Sequence, residues 1–87
     1  MRKRYAQVFK NFLCKRMLER RKALDISQEE MAHKLGIAGR TYVDIEHGAS
    51  GCNGLTLVLF LLFVCDDPMK FLEDLRRAFK ESDERVA

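Results

Sequence analysis

The chain has 87 residues, which is enough for one domain and too few for two. Its 47% hydrophobic and 33% charged residues, with a single proline, exclude a low-complexity chain and are typical of a folded domain. The net charge of +3 is unevenly distributed, because residues 1–24 carry nine Lys/Arg and one acid; this basic end favours an anionic polymer as a partner, with a solvated helix face as the alternative.

The first predicted element is a long helix over about residues 5–24. Apolar side chains recur there at three- and four-residue spacing and therefore lie on one stripe, while basic residues fill most of the remaining surface. The residues of the stripe are Val8, Phe9, Phe12, Leu13 and Met17. We expect this stripe to face the core.

A clear helix boundary follows at Ser27. Its hydroxyl can accept a backbone N–H and Glu30 can reach back, which is the pattern of a capping box. The helix that begins at Gln28 should end near Leu35, because Gly36 adopts the left-handed conformation that stops a helix at little cost. The chain must turn at this glycine.

A second short helix follows the turn and runs to about His47, with Gly48 as its C-terminal stop. Tyr42 and Ile45 are three residues apart on it, so both are expected to face inward. Two short helices joined through a glycine-containing turn form a helix-turn-helix, here over about residues 27–48.

Helix 4 is predicted over residues 55–65, after a loop with three glycines at residues 48–54. It is apolar on every face, yet it is too short for a membrane span of about 20 residues. One face must therefore pack outside the core, and we expect a two-fold dimer interface there. The expected interface residues are Leu59, Leu62 and Phe63. The alternative is that helix 1 covers this face within one subunit, through Phe9, Phe12 and Leu13.

The last predicted helix opens at Asp67-Pro68, where the aspartate caps the helix and the proline takes its first position. Its expected inward residues are Phe71, Leu72, Leu75 and Phe79. Its expected outward residues are Lys70, Arg76, Arg77 and Lys80. Residues 82–87 are interpreted as a polar tail that frays, so the domain should span residues 1–81. No stretch alternates apolar and polar residues for long enough to predict a strand, and the expected fold class is all-α with five helices.

The sequence gives no support for a metal centre, a cofactor or catalysis. Cys14, Cys52 and Cys65 are odd in number and form no CxxC pair or Cys/His cluster, so structural thiols in a reducing compartment are expected. Because there is no phosphate-binding glycine loop and no Cys/His dyad at catalytic spacing, we predict that the protein is not an enzyme. Basic residues interrupt any export signal, which favours the cytoplasm, without membrane association.

Residues 21–32 have the sequence Arg-Lys-Ala-Leu-Asp-Ile-Ser-Gln-Glu-Glu-Met-Ala. This segment resembles the start of the XRE-like, phage-repressor-type helix-turn-helix family, whose members often have Arg-x-Ala-Leu-Gly-Leu/Ile-Ser-Gln-Glu-Glu-Leu-Ala. Residues 34–37 (Lys-Leu-Gly-Ile) and 41–48 (Thr-Tyr-Val-Asp-Ile-Glu-His-Gly) are similar to the next family segments, at the same spacing. The resemblance covers residues 21–65 and implies a five-helix lambda-repressor-like DNA-binding domain with an extended N-terminal helix.

The resemblance implies that helix 3 docks in the major groove of double-stranded DNA, with the start of helix 2 on a phosphate. The implied DNA-binding residues are Gln28, Ala38, Gly39, Arg40, Thr41, Val43 and Asp44. Arg40 is the one strong base reader among them, since a guanidinium can bind both acceptors of guanine, and Val43 can touch a thymine methyl. Glu46 resembles a family glutamate that holds the end of helix 3, here through Arg21.

Two departures from the family leave two functions open. Ala38, Gly39 and the acidic Asp44 stand where many relatives have polar or basic residues, and helix 4 lacks the polar positions of the family. The first hypothesis is a dimeric DNA-binding regulator, a repressor by resemblance, to which the basic part of helix 1 adds phosphate contacts. The second is a protein-interaction module of antitoxin or anti-repressor type that docks a partner on helix 4.

Overall fold

The computed structural model describes residues 2–86. Within that range the chain forms five α-helices and no strand, which confirms the all-α prediction. The helices are α1 (Arg2–Leu24), α2 (Gln28–Leu35), α3 (Gly39–Glu46), α4 (Gly54–Leu59) and α5 (Pro68–Val86). A π-helical turn, Phe60–Val64, continues α4 where an α-helix was predicted, and it closes with a hydrogen bond from the Cys65 amide to the Phe60 carbonyl at 2.7 Å.

The long helix α1 packs against both α5 and α3. Leu13 and Met17 from its apolar stripe are fully buried, as predicted. Phe12 of the same stripe meets Phe71 of α5 edge-on, with ring centroids 5.1 Å apart. Edge-to-face packing is a favourable geometry for two aromatic rings, so this contact ties the two long helices together.

The C-terminal turns of α5 are held against the first turns of α1. The Tyr5 hydroxyl donates to Asp83 Oδ2 at 2.8 Å, and Arg4 forms an ion pair with the same carboxylate. Residues 82–86, which were interpreted as part of a polar tail, belong to α5. Residue 87 lies outside the described part of the chain.

The helix α5 turns a narrower stripe to the core than the sequence predicts. Phe71 is 2% exposed, and Leu75 and Phe79 are half-buried. Leu72 is 45% exposed, so its predicted inward position is wrong; it lies about 100° around the helix from Phe71. The residues predicted to face outward are exposed, namely Lys70, Arg76, Arg77 and Lys80.

The helices α2 and α3 form the predicted helix-turn-helix. The Ser27 hydroxyl accepts a hydrogen bond from the Glu30 amide at 3.1 Å, as the predicted capping box requires, and it donates to Glu30 Oε1 at 3.4 Å. Gly36 ends α2 with φ of +68°, and Gly48 follows α3 with φ of +75°. Both values are left-handed, and a side chain at either position would strain the backbone.

The core lies where α1, α2, α3, α5 and the π turn meet. Its buried apolar residues are Leu13, Met17, Met31, Ala32, Leu35, Tyr42, Ile45, Phe60, Val64 and Phe71. Tyr42 and Ile45 are among them, which confirms that α3 turns these residues inward. The opposite face of α3 is thereby directed away from the core.

Candidate nucleic-acid interface

The outward face of α3 carries the residues that the resemblance assigned to DNA. Ala38, Arg40 and Thr41 are exposed, whereas Gly39, Val43 and Asp44 are half-buried. The Arg40 side chain is 88% exposed, so nearly all of its guanidinium is available to a ligand. A long cationic side chain on an exposed helix face is suited to contact a base edge in the major groove.

A shallow cleft separates the first turns of α2 and α3. It has a volume of about 410 Å³ and is lined by Ser27, Gln28, Glu29, Gly39, Arg40 and Val43. Four of the seven residues implied by the resemblance meet here, whereas Ala38, Thr41 and Asp44 lie outside the lining. The cleft therefore joins the implied base-contacting and phosphate-contacting residues, and it adds Glu29, which the resemblance did not assign.

Arg40 has one neighbour of opposite charge on its own helix. Its Nε lies 3.7 Å from Asp44 Oδ1, one turn further along α3. Exposed ion pairs of this kind contribute about 0–1 kcal/mol. The guanidinium can therefore exchange this carboxylate for a guanine or a phosphate at small cost.

Gln28, at the start of α2, is oriented from behind by a buried carboxylate. Its Nε2 donates to Glu46 Oε1 at 3.0 Å. A carboxamide has two N–H donors and one carbonyl acceptor, so a second donor and the acceptor remain for a ligand. No local pattern in the sequence indicated this contact, because the two residues are 18 positions apart.

Glu46 is the centre of a polar network that joins α1, α2 and α3. Arg21 donates to both of its oxygens, from Nε at 2.8 Å and from Nη2 at 2.9 Å, which confirms the predicted pair. Arg21 Nη1 also donates to the Ile26 carbonyl at 3.1 Å. The Tyr42 hydroxyl donates to Glu46 Oε2 in the interior. The hydroxyl of this inward-facing tyrosine thus satisfies the buried carboxylate.

The network fixes the protonation of its members. Burial raises the pKa of Glu46, but hydrogen bonds from Arg21, Tyr42 and Gln28 more than offset it and hold that pKa below its usual value. Burial and the hydrogen bond to Glu46 raise the pKa of Tyr42. At neutral pH Glu46 is therefore a carboxylate and Tyr42 a phenol, so each hydrogen bond has a defined donor.

The basic end of the chain is only partly a surface for ligands. Four arginines of α1 contact the rest of the domain: Arg4 with Asp83, Arg16 with Asp74, Arg20 with the Val64 carbonyl and Arg21 with Glu46. The other basic residues described in α1 are Arg2, Lys3, Lys10, Lys15 and Lys22. The charge asymmetry of the sequence thus overstates the cationic surface, because nearly half of these side chains hold α1 to its neighbours.

Lys10 lies beside the loop that follows α3. A Cβ atom built on Gly51 would be 3.9 Å from Lys10 Cγ, so the stem of the lysine packs on the loop backbone. One turn along α1, Cys14 Sγ would lie 3.7 Å from a Cβ atom at Gly48. Both are ordinary van der Waals distances, and they place Lys10 beside the loop that follows the helix-turn-helix.

The outer face of α4 and the π turn is open. Leu62 is 67% exposed and Phe63 is 75% exposed, so their assignment to a dimer interface stays a prediction. Leu59 is half-buried and packs against the core, so less of it remains for a second copy. The alternative, in which α1 covers this face, is not what the structure shows. Phe12 and Leu13 of α1 pack into the core, and Leu62 and Phe63 remain exposed.

Within residues 2–86, no group of three or more His, Cys, Asp or Glu side chains could hold a metal ion, and the three cysteines are free thiols. Burial raises the pKa of Cys52 and of Cys65, which keeps both thiols protonated at neutral pH. No helix in this part of the chain combines the length and the apolar character needed to cross a bilayer.

Comparison with protein-family models matches residues 17–59 to the helix-turn-helix family, which confirms the predicted resemblance. The matched range includes the whole of α2 and α3, the end of α1, and α4. No curated protein and no solved structure gave a match. The first two-thirds of α1 and all of α5 lie outside the matched range.

Proposed function

We propose, from the premise that residues 17–59 belong to the XRE-type helix-turn-helix family, that the protein is a sequence-specific DNA-binding transcriptional regulator. It acts on double-stranded DNA as a dimeric repressor. The observation that carries the proposal is the placement of Arg40 and Gln28 on one exposed cleft, with Gln28 fixed by Glu46. This arrangement supports a base contact and a phosphate contact from adjacent helices.

In the proposed complex the outward face of α3 lies in the major groove. Arg40 exchanges Asp44 for O6 and N7 of a guanine, and Val43 touches a thymine methyl. Thr41 donates to a phosphate beside the groove. The small Gly39 and its neighbour Ala38 let the start of α3 approach the base edges.

The start of α2 binds a phosphate of the same half-site. Its first backbone N–H groups point outward at the positive end of the helix dipole, and the second N–H of Gln28 adds a donor. Glu46 contributes indirectly, because its hydrogen bond restricts the rotation of the Gln28 carboxamide. Lys10 adds a phosphate contact next to the loop after α3.

The open apolar face supports the dimer. Leu62 and Phe63 lie near two more exposed residues of α4 in sequence, Leu55 and Val58. Apolar patches of several hundred Å² seldom remain uncovered on a soluble protein. A second copy related by a two-fold axis would cover this face and present two α3 helices about 34 Å apart, which is one turn of DNA.

The same exposed face favours a second candidate function. A protein-interaction module of antitoxin or anti-repressor type would dock a different protein on Leu62 and Phe63, and it would not depend on Arg40. Neither function requires catalysis, and we propose no enzymatic role. For a regulator of bacterial or phage type, the proposed place of action is the cytoplasm, where the DNA lies.

The decisive experiment is binding of the purified protein to random-sequence duplex DNA across a salt series, with sequencing of the bound fraction. The proposed function predicts an affinity that falls steeply with salt and an enriched palindrome with half-sites one helical turn apart. Absence of binding at low salt would exclude it and favour the protein-interaction module. Enrichment of a single half-site would keep DNA binding and exclude the dimer.

A further inference from the structure

Glu29 of α2 lies beside Gly39, the position in α3 that has no side chain. A Cβ atom built on Gly39 would lie 4.0 Å from Cγ of Glu29, which is ordinary van der Waals distance. Glu29 is exposed and lines the same cleft as Arg40. The Glu29 carboxylate therefore lies on the outward surface next to the first turn of α3, where Gly39 has no side chain of its own to offer a ligand.

The first turn of α3 is electrostatically suited to a neighbouring carboxylate. Its N-cap, Ala38, supplies no side-chain hydrogen bond, and the turn contains no acidic residue of its own. The unpaired amides at this end keep their positive partial charge. Glu29 also lies in the first turn of α2, so its side chain is near the N-terminal ends of two helices.

The charge balance of this surface differs from that of a purely phosphate-binding surface. Arg40 is cationic, whereas Glu29 and Asp44 are anionic, so the three residues together are acidic. A carboxylate repels the phosphates of any sequence and thereby weakens binding to arbitrary DNA. It can also accept a hydrogen bond from the N4 amino group of cytosine in the major groove.

We propose that Glu29 is a specificity-determining residue of the DNA interface. Its carboxylate lowers the affinity for arbitrary duplex DNA and selects half-sites that present the N4 amino group of a cytosine beside the base bound by Arg40. This inference rests on the proposed DNA-binding function. It assigns to α2 part of the base recognition that α3, with Gly39, does not supply.

Two variants separate the charge of Glu29 from its reach. Glu29→Gln removes the charge and nearly keeps the shape of the side chain. It should bind random duplex DNA at low salt about threefold more tightly, which is the effect of one unit charge roughly 6 Å from a phosphate in water. It should also lose the preference for cytosine. Glu29→Asp keeps the charge and shortens the side chain, so its affinity for random duplex should be unchanged while its cytosine preference weakens. Glu73→Gln, the same charge change at an exposed site on α5, is the matched control.

The readouts are fluorescence anisotropy with random duplex, selection with sequencing, and thermal unfolding to verify that each variant is folded. If the wild type binds DNA but Glu29→Gln matches Glu73→Gln in affinity and in selected bases, the role of Glu29 is overturned and the proposed function stands. A gain in affinity with the cytosine preference intact overturns the selection by Glu29. A wild type that does not bind duplex DNA at low salt overturns both.

Discussion

The polar network around Glu46 finds all its partners inside the domain, whereas the apolar outer face of the π turn is left exposed to solvent. Glu46 accepts hydrogen bonds from Arg21, Tyr42 and Gln28, all within one domain. Leu62 and Phe63 remain mostly exposed among the described residues. The network holds α1, α2 and α3 together with contacts inside the domain, whereas the apolar face has the exposure of our proposed interface with a second molecule. Changes in the two regions should therefore have different signatures.

The largest effect is expected from Glu46→Ala. Removing this carboxylate leaves the Tyr42 hydroxyl without its acceptor and leaves Arg21 with only the Ile26 carbonyl, which should cost about 3 kcal/mol of unfolding free energy. Urea unfolding measures the loss. Asp44→Ala, which removes a more exposed carboxylate of the same helix, should change stability by less than about 0.5 kcal/mol. Equal losses in the two variants would contradict the central role of the network.

The stability that Glu46 contributes should also depend on pH. The pKa of Glu46 is lower in the folded than in the unfolded protein, so its contribution is fully present above the unfolded pKa and is lost as pH falls through the folded pKa. The wild type should therefore lose more stability on acidification than Glu46→Gln does. Thermal unfolding at a series of acidic pH values tests this, and parallel curves for the two proteins would refute the assignment.

Arg40→Ala should act on binding alone. Its side chain is 88% exposed, so the unfolding free energy should not change, whereas loss of a bidentate base contact should cost about 2 kcal/mol of binding and relax one base position. Lys80→Ala, which removes an exposed cation from α5, is the control and should leave the base preference intact. Competition binding with the selected operator measures both. Equal losses in the two variants would show that only net charge matters.

Leu62→Lys tests the proposed dimer interface on the apolar face. An exposed leucine contributes little to the monomer, so the variant should fold normally, but a charge in the proposed interface should weaken dimerisation at least tenfold, a loss of about 1.4 kcal/mol. Sedimentation velocity across a concentration series measures the dimer. Leu24→Lys, at an exposed position at the end of α1, should leave it intact. A monomeric wild type would remove the dimer from the proposal and direct attention to a different partner.

The extent to which the sequence predicts this molecule follows the range of the interactions. The bounds of α2 depend on Ser27 and Gly36, which act within a few residues, and they were predicted correctly. The contact between Gln28 and Glu46 joins residues far apart in the chain, so it depends on the tertiary packing of α2 against α3 and has no local sequence signal. The π turn is also invisible to periodicity, because it differs from an α-helix by only one residue per hydrogen-bonded loop.

Charge patterning illustrates the same limit on the candidate site. The excess of Lys/Arg before residue 25 is evident in the sequence, but its division into structural and exposed side chains depends on which acids α5 and α3 bring close. Arg16, for example, lies 2.5 Å from Asp74, 58 positions away. The DNA-binding roles implied by the resemblance stay predictions, because a base contact depends on a second molecule as well as on this chain.

The smallest changes in unfolding free energy should come from the turns before and after α2, and the two changes should have opposite signs. Gly36→Ala places a side chain at φ +68°, which should cost about 1 kcal/mol of unfolding free energy. Asp25 lies between α1 and α2 with φ of +55°, so Asp25→Gly should relieve backbone strain. Glycine also increases the chain entropy of the unfolded state, which offsets part of this gain. The net effect should be a stabilisation of the folded protein by roughly 0.5 kcal/mol. Urea unfolding resolves the pair. Both variants should dimerise like the wild type, because neither residue belongs to α4 or the π turn. Effects of the same sign would show that backbone conformation does not govern these positions.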